Sequence, residues 1–324
     1  MKLTCKRALT IGGAGLVALA LAATAPAQAW EPTEEIEFIT HVGTESSTWA
    51  FANKVSEIMR AENLAPHGVT IRVVEGARGA KSRAYVSMDH KGDPHKLQVI
   101  VPSQINNAIL AQSEVNKDLF QGVAMLLVSP MVITVNAGSE FKTLKDLIDY
   151  AKAHPDELIQ GGGDFGTTAS MINRIMEDEL GIQWKYAPFD DQGILQLLGN
   201  HVHFVMENPE QVAEFVKAGR MRTLGTTAKL ADFPDVPTFA EQGLDFPILQ
   251  AYRGFWTSKD VPQEAIDWYT QTFEKVLKHP DFQEYIRANA MVEFWVTGDD
   301  FTNLVESEHA AYLKLNTEMG LIGK

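Results

Sequence analysis

The stretch from Leu158 to Ile172 constrains the fold most, because it combines a short strand, a glycine-rich turn and the start of a helix. Its centre is GGGDFGTT, in which Thr167 or Thr168 fits a helix N-cap, and Gly181 fits the end of that helix. A strand-to-helix junction directs backbone N–H groups and the positive end of a helix dipole towards one position, which suits an anion. We therefore expect an α/β fold with an anion-binding loop at this junction.

Residues 1–29 have the composition of an export signal. Basic residues are followed by an apolar run from Ala8 to Ala25, and the segment from Ala27 to Ala29 is a small-x-small cleavage site. We expect export and cleavage after Ala29 rather than an uncleaved membrane anchor. The only cysteine, Cys5, lies ahead of the apolar run, so the mature chain would have no thiol for a disulfide or a metal.

The mature chain is strongly acidic. The signal holds three of the 28 Lys and Arg residues and none of the 42 Asp and Glu residues, which leaves 25 against 42 and a net charge of −17. Such a surface disfavours nucleic acid and anionic membranes as partners. No later segment is long and apolar enough to span a bilayer. The remaining 295 residues are enough for two lobes, each with its own core.

Strands alternate with helices along the chain. We predict strands at 35–40, 69–74 and 97–101, each followed by a polar loop and a helix. This alternation is typical of right-handed crossovers and largely parallel sheets, which bind ligands at the carboxyl ends of their strands. The loops after these three strands should therefore share one edge.

An apolar strand at 131–135 marks the passage into a second lobe, and a proline-rich segment at 232–247 marks the return. Asn208 and Pro209 fit the N-cap and first position of a helix, so Glu207 and Asn208 form a second strand-to-helix junction. The domains that follow from these boundaries are a signal peptide (1–29), the first part of lobe 1 (30–130), lobe 2 (131–230), and a return segment with the second part of lobe 1 (231–324).

The glycine stretch also permits a different interpretation, as a dinucleotide-binding oxidoreductase. Gly161, Gly163 and Gly166 match G-x-G-x-x-G, and Asp190 or Asp191 follows at the distance expected of a ribose-binding acid. The export signal disfavours this alternative, because a freely exchanging nicotinamide pool is not expected outside the cytoplasm. We expect no cofactor.

Other side chains are compatible with an exported enzyme or a metal site. Asp190 and Asp191 could act as an acid and base pair, but adjacent loop residues usually point apart, so a solvated turn is favoured. His201 and His203 could share a strand face near Glu207, but no third metal ligand has a clear spacing. We expect neither catalysis nor a metal. Arg78, Lys81 or Arg253 could pair with a second acidic group of a ligand, but solvation is favoured for each of them taken singly.

Several strings together carry a resemblance to a known family. PDVPTFAEQG at 234–243 is the most specific, with GARG at 76–79 and AGRMRTLGTT at 218–227. GGGDFGTT stands where the family has S-x-G-x-GT, and APFDDQG at 187–193 stands where it has VPYKG. The mature chain as a whole resembles the extracytoplasmic solute-binding subunit of the tripartite tricarboxylate transporters. The resemblance implies a two-lobed periplasmic binding protein of type II-like α/β fold, with a mostly parallel sheet flanked by helices in each lobe and the ligand in the interlobe cleft.

The resemblance also implies a function and a set of contacts. The protein would be a monomer that closes over a small carboxylate and delivers it to a permease of one large and one small membrane subunit. The alternative of a solute sensor for a membrane receptor stays open. Including polar residues from the loops at the shared edge, the expected ligand-binding residues are Val42, Gly43, Thr44, Glu45, Ser46, Ser47, Thr48, Arg78, Ser103, Gln104, Gly163, Asp164, Phe165, Gly166, Thr167, Thr168, Asp190, Asp191, Glu207 and Asn208.

The first loop and the acids at 164 and 190 distinguish this chain from its family. The P-x-PPGG-x-x-D pattern is absent from the first loop, and Asp164 and Asp190 add negative charge to the expected cleft. These differences leave open whether the ligand is a mono-, di- or tricarboxylate, or an acid with an aromatic or hydroxylated body.

Overall fold

The computed structural model describes residues 30–163, 167–230, 233–244, 249 and 251–323. The predicted signal peptide with its cleavage site and the predicted contacts of Asp164, Phe165 and Gly166 lie outside these residues. The strands in the described part are β1 (Ile36–Thr40), β2 (Val69–Val73), β3 (Lys96–Ile100), β4 (Phe120–Ser129), β5 (Val132–Asn136), β6 (Ile159–Gly162), β7 (Lys185–Pro188), β8 (Phe204–Glu207), β9 (Met221–Thr226), β10 (Ala251–Ser258) and β11 (Val292–Val296). The helices are α1 (Ser47–Ala61), α2 (Ala80–Ala84), α3 (Pro102–Leu110), α4 (Leu144–Ala153), α5 (Thr168–Leu180), α6 (Ile194–Leu198), α7 (Pro209–Lys217), α8 (Gln263–Lys278), α9 (Pro280–Ala288) and α10 (Gly298–Glu318).

The strands form two sheets, and each sheet is the centre of one lobe. The first sheet has the order β11-β4-β10-β3-β1-β2, and the second has the order β7-β6-β8-β5-β9. The chain passes from the first sheet to the second after β4 and returns between β9 and β10. The two-lobed α/β architecture expected from the sequence is confirmed.

Both sheets are mixed, which corrects the expectation of mostly parallel sheets. In the first sheet β1 is parallel to β2 and β3, whereas β10 is antiparallel to β3 and β4, and β11 is antiparallel to β4. In the second sheet β6 is parallel to β7 and β8, whereas β5 is antiparallel to β8 and β9. The antiparallel pairs arise because the chain leaves the first lobe along β4 and re-enters it at the same edge along β10.

Local sequence signals explain where several helices begin and end. Thr143 accepts a hydrogen bond from the backbone of Asp146, whose side chain accepts from the backbone of Thr143, so α4 begins with a capping box. Thr167 is the N-cap of α5, and Gly181 ends that helix in the left-handed conformation, with φ of 62°. The cap at Thr167 and the end at Gly181 confirm the predicted boundaries of α5.

The buried side chains fall into three clusters that explain how the layers pack. One face of the first sheet packs against α1, α8 and α9, where Phe255 stacks on Phe273 with ring centroids 4.7 Å apart. One face of the second sheet packs against α6 and α7. The third cluster is continuous between the lobes, since it joins Ile100 of β3, Tyr312 of α10 and Phe204 of β8. Burial of each such large apolar side chain contributes about 1.5–3 kcal/mol.

The segments that connect the lobes are hydrogen bonded to each other. Met131 N donates to Thr227 Oγ1 at 2.9 Å, and Thr227 N donates to Met131 O at 2.9 Å. These bonds place the outgoing and returning segments side by side. Within the described residues, no helix combines the length and hydropathy required to cross a membrane.

Candidate ligand-binding cleft

The two sheets present their loop-bearing edges to each other. In the first sheet, β1, β2, β3 and β4 all end at the edge where β10 begins. In the second sheet, β6, β7 and β8 end at the edge where β5 begins, since Val132 pairs with Glu207. Only Pro130 and Met131 separate β4 from β5, a span of about 10 Å at most. The loops at these edges therefore line one interlobe cleft, and the first three loops share an edge as predicted.

Arg253, on β10, is buried at this edge rather than solvated. The residue is 8% exposed. Its Nη1 donates to Ser129 Oγ at 2.6 Å, and its Nη2 donates to Ser47 Oγ at 2.9 Å. The buried Nε has no hydrogen-bond partner among the described residues. The expectation of a solvated Arg253 was wrong because β10 lies between β3 and β4 in the sheet, which covers the base of this side chain.

The surroundings of Arg253 make it suited to an anion. Burial lowers the pKa of Arg253, although nearby Tyr285 and Glu210 oppose the shift. The group stays protonated at neutral pH, because an arginine pKa ordinarily exceeds 12. Ser47 and Ser129 accept hydrogen bonds from the guanidinium, so each hydroxyl retains its own proton to donate. A buried charge without a close counter-ion is unfavourable, and an anion bound here would relieve that cost.

Arg83 is a second buried cation beside the same edge. It is fully buried, and its Nη1 donates to Gln104 Oε1 at 2.9 Å and to Gln104 O at 3.3 Å. Its Nη2 and the Nε2 of Gln104 have no partner in the described part of the chain. Burial lowers the pKa of Arg83 to about 10, so the guanidinium is charged at neutral pH. This cation and amide group presents unsatisfied N–H donors in a buried position.

His41 adjoins the Arg83 group. Its Nε2 lies 3.4 Å from Ser103 Oγ, and its Nδ1 is buried without a partner among the described residues. Burial, helped by the charge of Arg83, lowers the pKa of His41 to about 4. The ring is therefore neutral at pH 7 and offers one N–H and one acceptor nitrogen.

Two predicted ligand-binding residues of the first lobe contact the buried Arg83 and the adjoining His41, whereas the side chain of a third, Arg78, does not. Gln104 contacts Arg83, and Ser103 contacts His41, as described above. The side chain of Arg78 is exposed, and only its carbonyl oxygen approaches Arg83 Nη1, at 3.5 Å. Arg83 is therefore the buried arginine of this group, and a ligand contact of Arg78 stays a prediction.

The loop from Val42 to Thr48 forms the start of α1. Ser46 is its N-cap, because Ser46 Oγ accepts from Trp49 N at 3.1 Å and donates to Gly43 O at 2.7 Å. Thr44 and Glu45 are exposed, whereas Thr48 is buried. Ser47 is the member of this loop that contacts Arg253, so the positive end of α1 and the guanidinium are adjacent.

The glycine stretch of the second lobe is shaped by close packing. A Cβ atom on Gly161 would lie 3.2 Å from Gly193 Cα, and a Cβ atom on Gly162 would lie 2.3 Å from Tyr186 Oη. Gly163 is buried, and its carbonyl oxygen accepts a hydrogen bond from Tyr186 Oη at 2.8 Å. These approaches account for glycine at positions 161 and 162 without a bound nucleotide.

The acidic turn after β7 contributes to structure as well as charge. Asp191 accepts hydrogen bonds from the backbone N–H groups of Gly193 at 3.2 Å and Leu195 at 3.0 Å, so it caps α6. Asp190 is exposed. At the start of α5, Thr167 and Thr168 are half-buried, and Thr167 caps the helix through Ser170 N at 3.3 Å. Ligand contacts of these residues stay predictions.

The junction between β8 and α7 places two carboxyl groups at the cleft. Glu207 is 4% exposed, and its Oε1 has no hydrogen-bond partner in the described part of the chain. Burial, followed by repulsion from Glu210, raises the pKa of Glu207 to about 8. Burial also raises the pKa of Glu210, and the opposing effects include Arg253 and a hydrogen bond with Asn208. Arg253 and Glu210 therefore interact electrostatically across the lobes.

The histidines near this junction do not form a metal site with it. His203 Nδ1 accepts a hydrogen bond from Ile159 N at 2.9 Å. Among the residues that the structure describes, no three His, Cys, Asp or Glu side chains are grouped to hold a metal ion.

Sequence reasoning missed Arg83, Glu210 and the role of Arg253. Arg253 is the single cation within the run YRGFW at 252–256, and such an aromatic environment was the available signal that it is buried. Glu210 lies in the first turn of α7 and carries no comparable signal.

Comparison with known proteins agrees with this geometry. A structure of a solute-binding protein from Polaromonas has a TM-score of 0.80 with this chain, at 22% identity, and covers 89% of this chain and 99% of that one. A malate-bound protein from Rhodopseudomonas palustris has a TM-score of 0.62, at 18% identity, over 88% of this chain and 99% of that chain. At these identities the likeness establishes the fold, which is that of periplasmic solute-binding proteins.

Sequence comparison identifies the family. The model of the tripartite tricarboxylate transporter family receptor matches residues 96–321. The chain therefore belongs to this family of solute-binding receptors, which is not an enzyme family. A UPF0065 protein of Cupriavidus necator is 27% identical over 191 residues. That alignment covers 56% of this chain, and the chain spans only 58% of the relative's length.

Proposed function

We propose that this protein is the periplasmic substrate-binding subunit of a tripartite secondary transporter. It captures a small carboxylate-bearing solute between its lobes and delivers it to a permease of one large and one small membrane subunit. It acts as a monomer after removal of the signal peptide at Ala29, and it catalyses no reaction. Family membership supports the transport role, and the malate bound to the Rhodopseudomonas palustris protein supports the ligand class.

The buried guanidinium of Arg253 is the observation that carries the carboxylate assignment. Arg253 combines a positive charge, an N–H without a partner among the described residues, and two serine hydroxyls at the interlobe edge. The N-terminus of α1 adds dipole charge of the same sign, since Ser47 is the first residue of that helix. A planar carboxylate matches this arrangement, because guanidinium groups bind carboxylates through two parallel hydrogen bonds.

Lobe closure follows from the same arrangement. The anion-binding groups around Arg253 lie in the first lobe, and Glu207, Asn208 and the start of α5 lie across the cleft in the second. A ligand that contacts both sets binds the closed form more tightly than the open form, and this differential affinity drives closure. The connecting segments near residue 130 and between 230 and 250 are the proposed hinge.

A thermal-shift screen of residues 30–324 against mono-, di- and tricarboxylates, aromatic acids and amino acids tests this function. A ligand at 100 times its dissociation constant should stabilise the protein by about 2.7 kcal/mol. Arg253→Gln should weaken carboxylate binding at least tenfold, because a hydrogen bond to a charged group contributes about 1.5–3 kcal/mol.

The matched control is Arg287→Gln, which removes an exposed arginine of the same lobe that pairs with Glu284. This variant should bind like the unmodified protein. Stabilisation by a neutral solute but by no acid in the panel would reject the carboxylate assignment.

A further inference from the structure

Glu207, at the end of β8 that faces the first lobe, is a buried carboxyl group of the second lobe. Glu207 ends β8, and its strand partner Val132 is three residues from Ser129, which binds Arg253. Glu207 is more than nine-tenths buried and its Oε1 has no partner among the described residues. A buried carboxyl oxygen without a partner is unfavourable, so a ligand that pairs with it gains affinity.

Glu210 increases the negative potential at the same position. It lies in the first turn of α7, three residues after Glu207, and its charge raises the pKa of Glu207. The charge of Arg253 acts on Glu210 from the opposite lobe. The cleft therefore has a positive charge at Arg253 and, in the second lobe, two carboxyl groups, Glu207 and Glu210, of which Glu207 holds a proton at pH 7.

The charges of the two lobes make the affinity of a carboxylate ligand depend on its second polar group. A second carboxylate placed beside Glu207 and Glu210 would face the charge of Glu210, and it would raise the pKa of Glu207 further. An ammonium group at the same place would supply three N–H donors and a charge of opposite sign. A hydroxyl would supply one donor without the charge.

We propose that the cleft selects an amino carboxylate, with the ligand's carboxylate bound by Arg253 and Ser47 and its ammonium group bound by Glu207 and Glu210. The inference rests on the proposed function and specifies its ligand class. Arg253 is the group shared with any carboxylate, whereas Glu207 is the group that distinguishes amines from their deaminated analogues.

Proton release provides a test on the unmodified protein. The pKa of Glu207 is about 8 in the unliganded structure, so the group holds a proton at pH 7. An ammonium group beside it favours the ionised form, and binding should release close to one proton. Titration calorimetry at pH 7 in phosphate and in Tris, whose ionisation enthalpies differ, measures this release. A dicarboxylate should release none.

Matched pairs of probes test the selectivity. Succinate is compared with aspartate, glutarate with glutamate, propionate with β-alanine, and butyrate with 4-aminobutyrate. The amine of at least one pair should bind at least tenfold more tightly than its analogue. Glu207→Gln should abolish that preference, while Glu214→Gln, an exposed change on α7 at a residue paired with Lys217, should retain it.

The outcomes separate the two proposals. Carboxylates that bind as tightly as or more tightly than their amino analogues would overturn the amino carboxylate assignment and leave the proposed function intact. An amine preference without proton release, or one that persists in Glu207→Gln, would also overturn it. Binding of no carboxylate of either kind would reject the proposed function itself.

Discussion

Arg253 and Glu207 are both buried ionisable side chains, but burial affects their charge at neutral pH differently. Burial lowers the pKa of Arg253, but the guanidinium keeps its charge, because arginine side chains are effectively always protonated in proteins. The carboxyl group of Glu207 instead becomes neutral at pH 7, since its pKa rises to about 8. The first group therefore attracts anions at any physiological pH, whereas the second changes its charge within that range.

The pKa of Glu207 predicts how stability depends on pH. Between its ordinary pKa of 4.5 and its folded pKa of about 8, the folded state holds a proton that the unfolded state has lost. Stability of the unliganded protein should therefore fall as pH rises through this window, by up to about 1.4 kcal/mol per pH unit. His41 acts in the opposite direction only below pH 6.5, where its proton is bound by the unfolded state.

Urea unfolding between pH 6.5 and 8 isolates the contribution of Glu207. Glu207→Gln should flatten the pH dependence there, and Glu214→Gln should leave it unchanged. The same slope in Glu207→Gln and in the unmodified protein would show that another group titrates.

At the scale of elements, the glycines of β6 and α6 allow two backbones to approach closely. Gly193 begins α6 with φ of 79°, and a Cβ atom there would lie 2.8 Å from Gly161 Cα. Two effects therefore disfavour a side chain at position 193: the left-handed backbone conformation and the lack of space for a Cβ atom. At Gly181, with φ of 62°, only the backbone conformation disfavours a side chain, because a Cβ atom there would have no atom of the described residues within 4 Å.

Gly193→Ala and Gly181→Ala separate these two effects. Gly181→Ala should destabilise the protein by about 1 kcal/mol through the left-handed conformation alone. Gly193→Ala should cost at least about 2 kcal/mol more, since β6 and α6 must move apart against a packed core. Equal losses in urea unfolding would contradict the steric account of the glycine stretch.

At the scale of the molecule, the lobes are joined by two paired connecting segments and by a helix that packs on both lobes. The connecting segments are paired through Met131 and Thr227. Helix α10 packs on α3 and β4 of the first lobe and also on α5 of the second. A continuous apolar cluster thus joins the two lobes.

Small-angle scattering tests closure directly. A bound carboxylate at a saturating concentration should decrease the radius of gyration, because it bridges the two lobes. Arg253→Gln at the same ligand concentration should keep the larger radius. An unchanged radius in protein shown by calorimetry to be saturated would contradict lobe closure.

The sequence by itself determined the order of most elements, their caps and the family. The strands β1, β2, β3 and β6 and the helix starts at Thr167 and Pro209 follow from local periodicity and capping chemistry, which depend on neighbouring residues. Strands β4, β9 and β10 were missed, because β4 and β10 are buried on both faces and lack the alternation that marks a half-exposed strand.

Tertiary structure alone decided which charged groups reach the cleft. Arg253 is buried because β10 inserts between β3 and β4, which are more than 120 residues away in the chain. The same kind of non-local packing buries Arg83 and Glu207. Burial, and with it the charge of an ionisable group, depends on distant strand pairing, which no local pattern encodes.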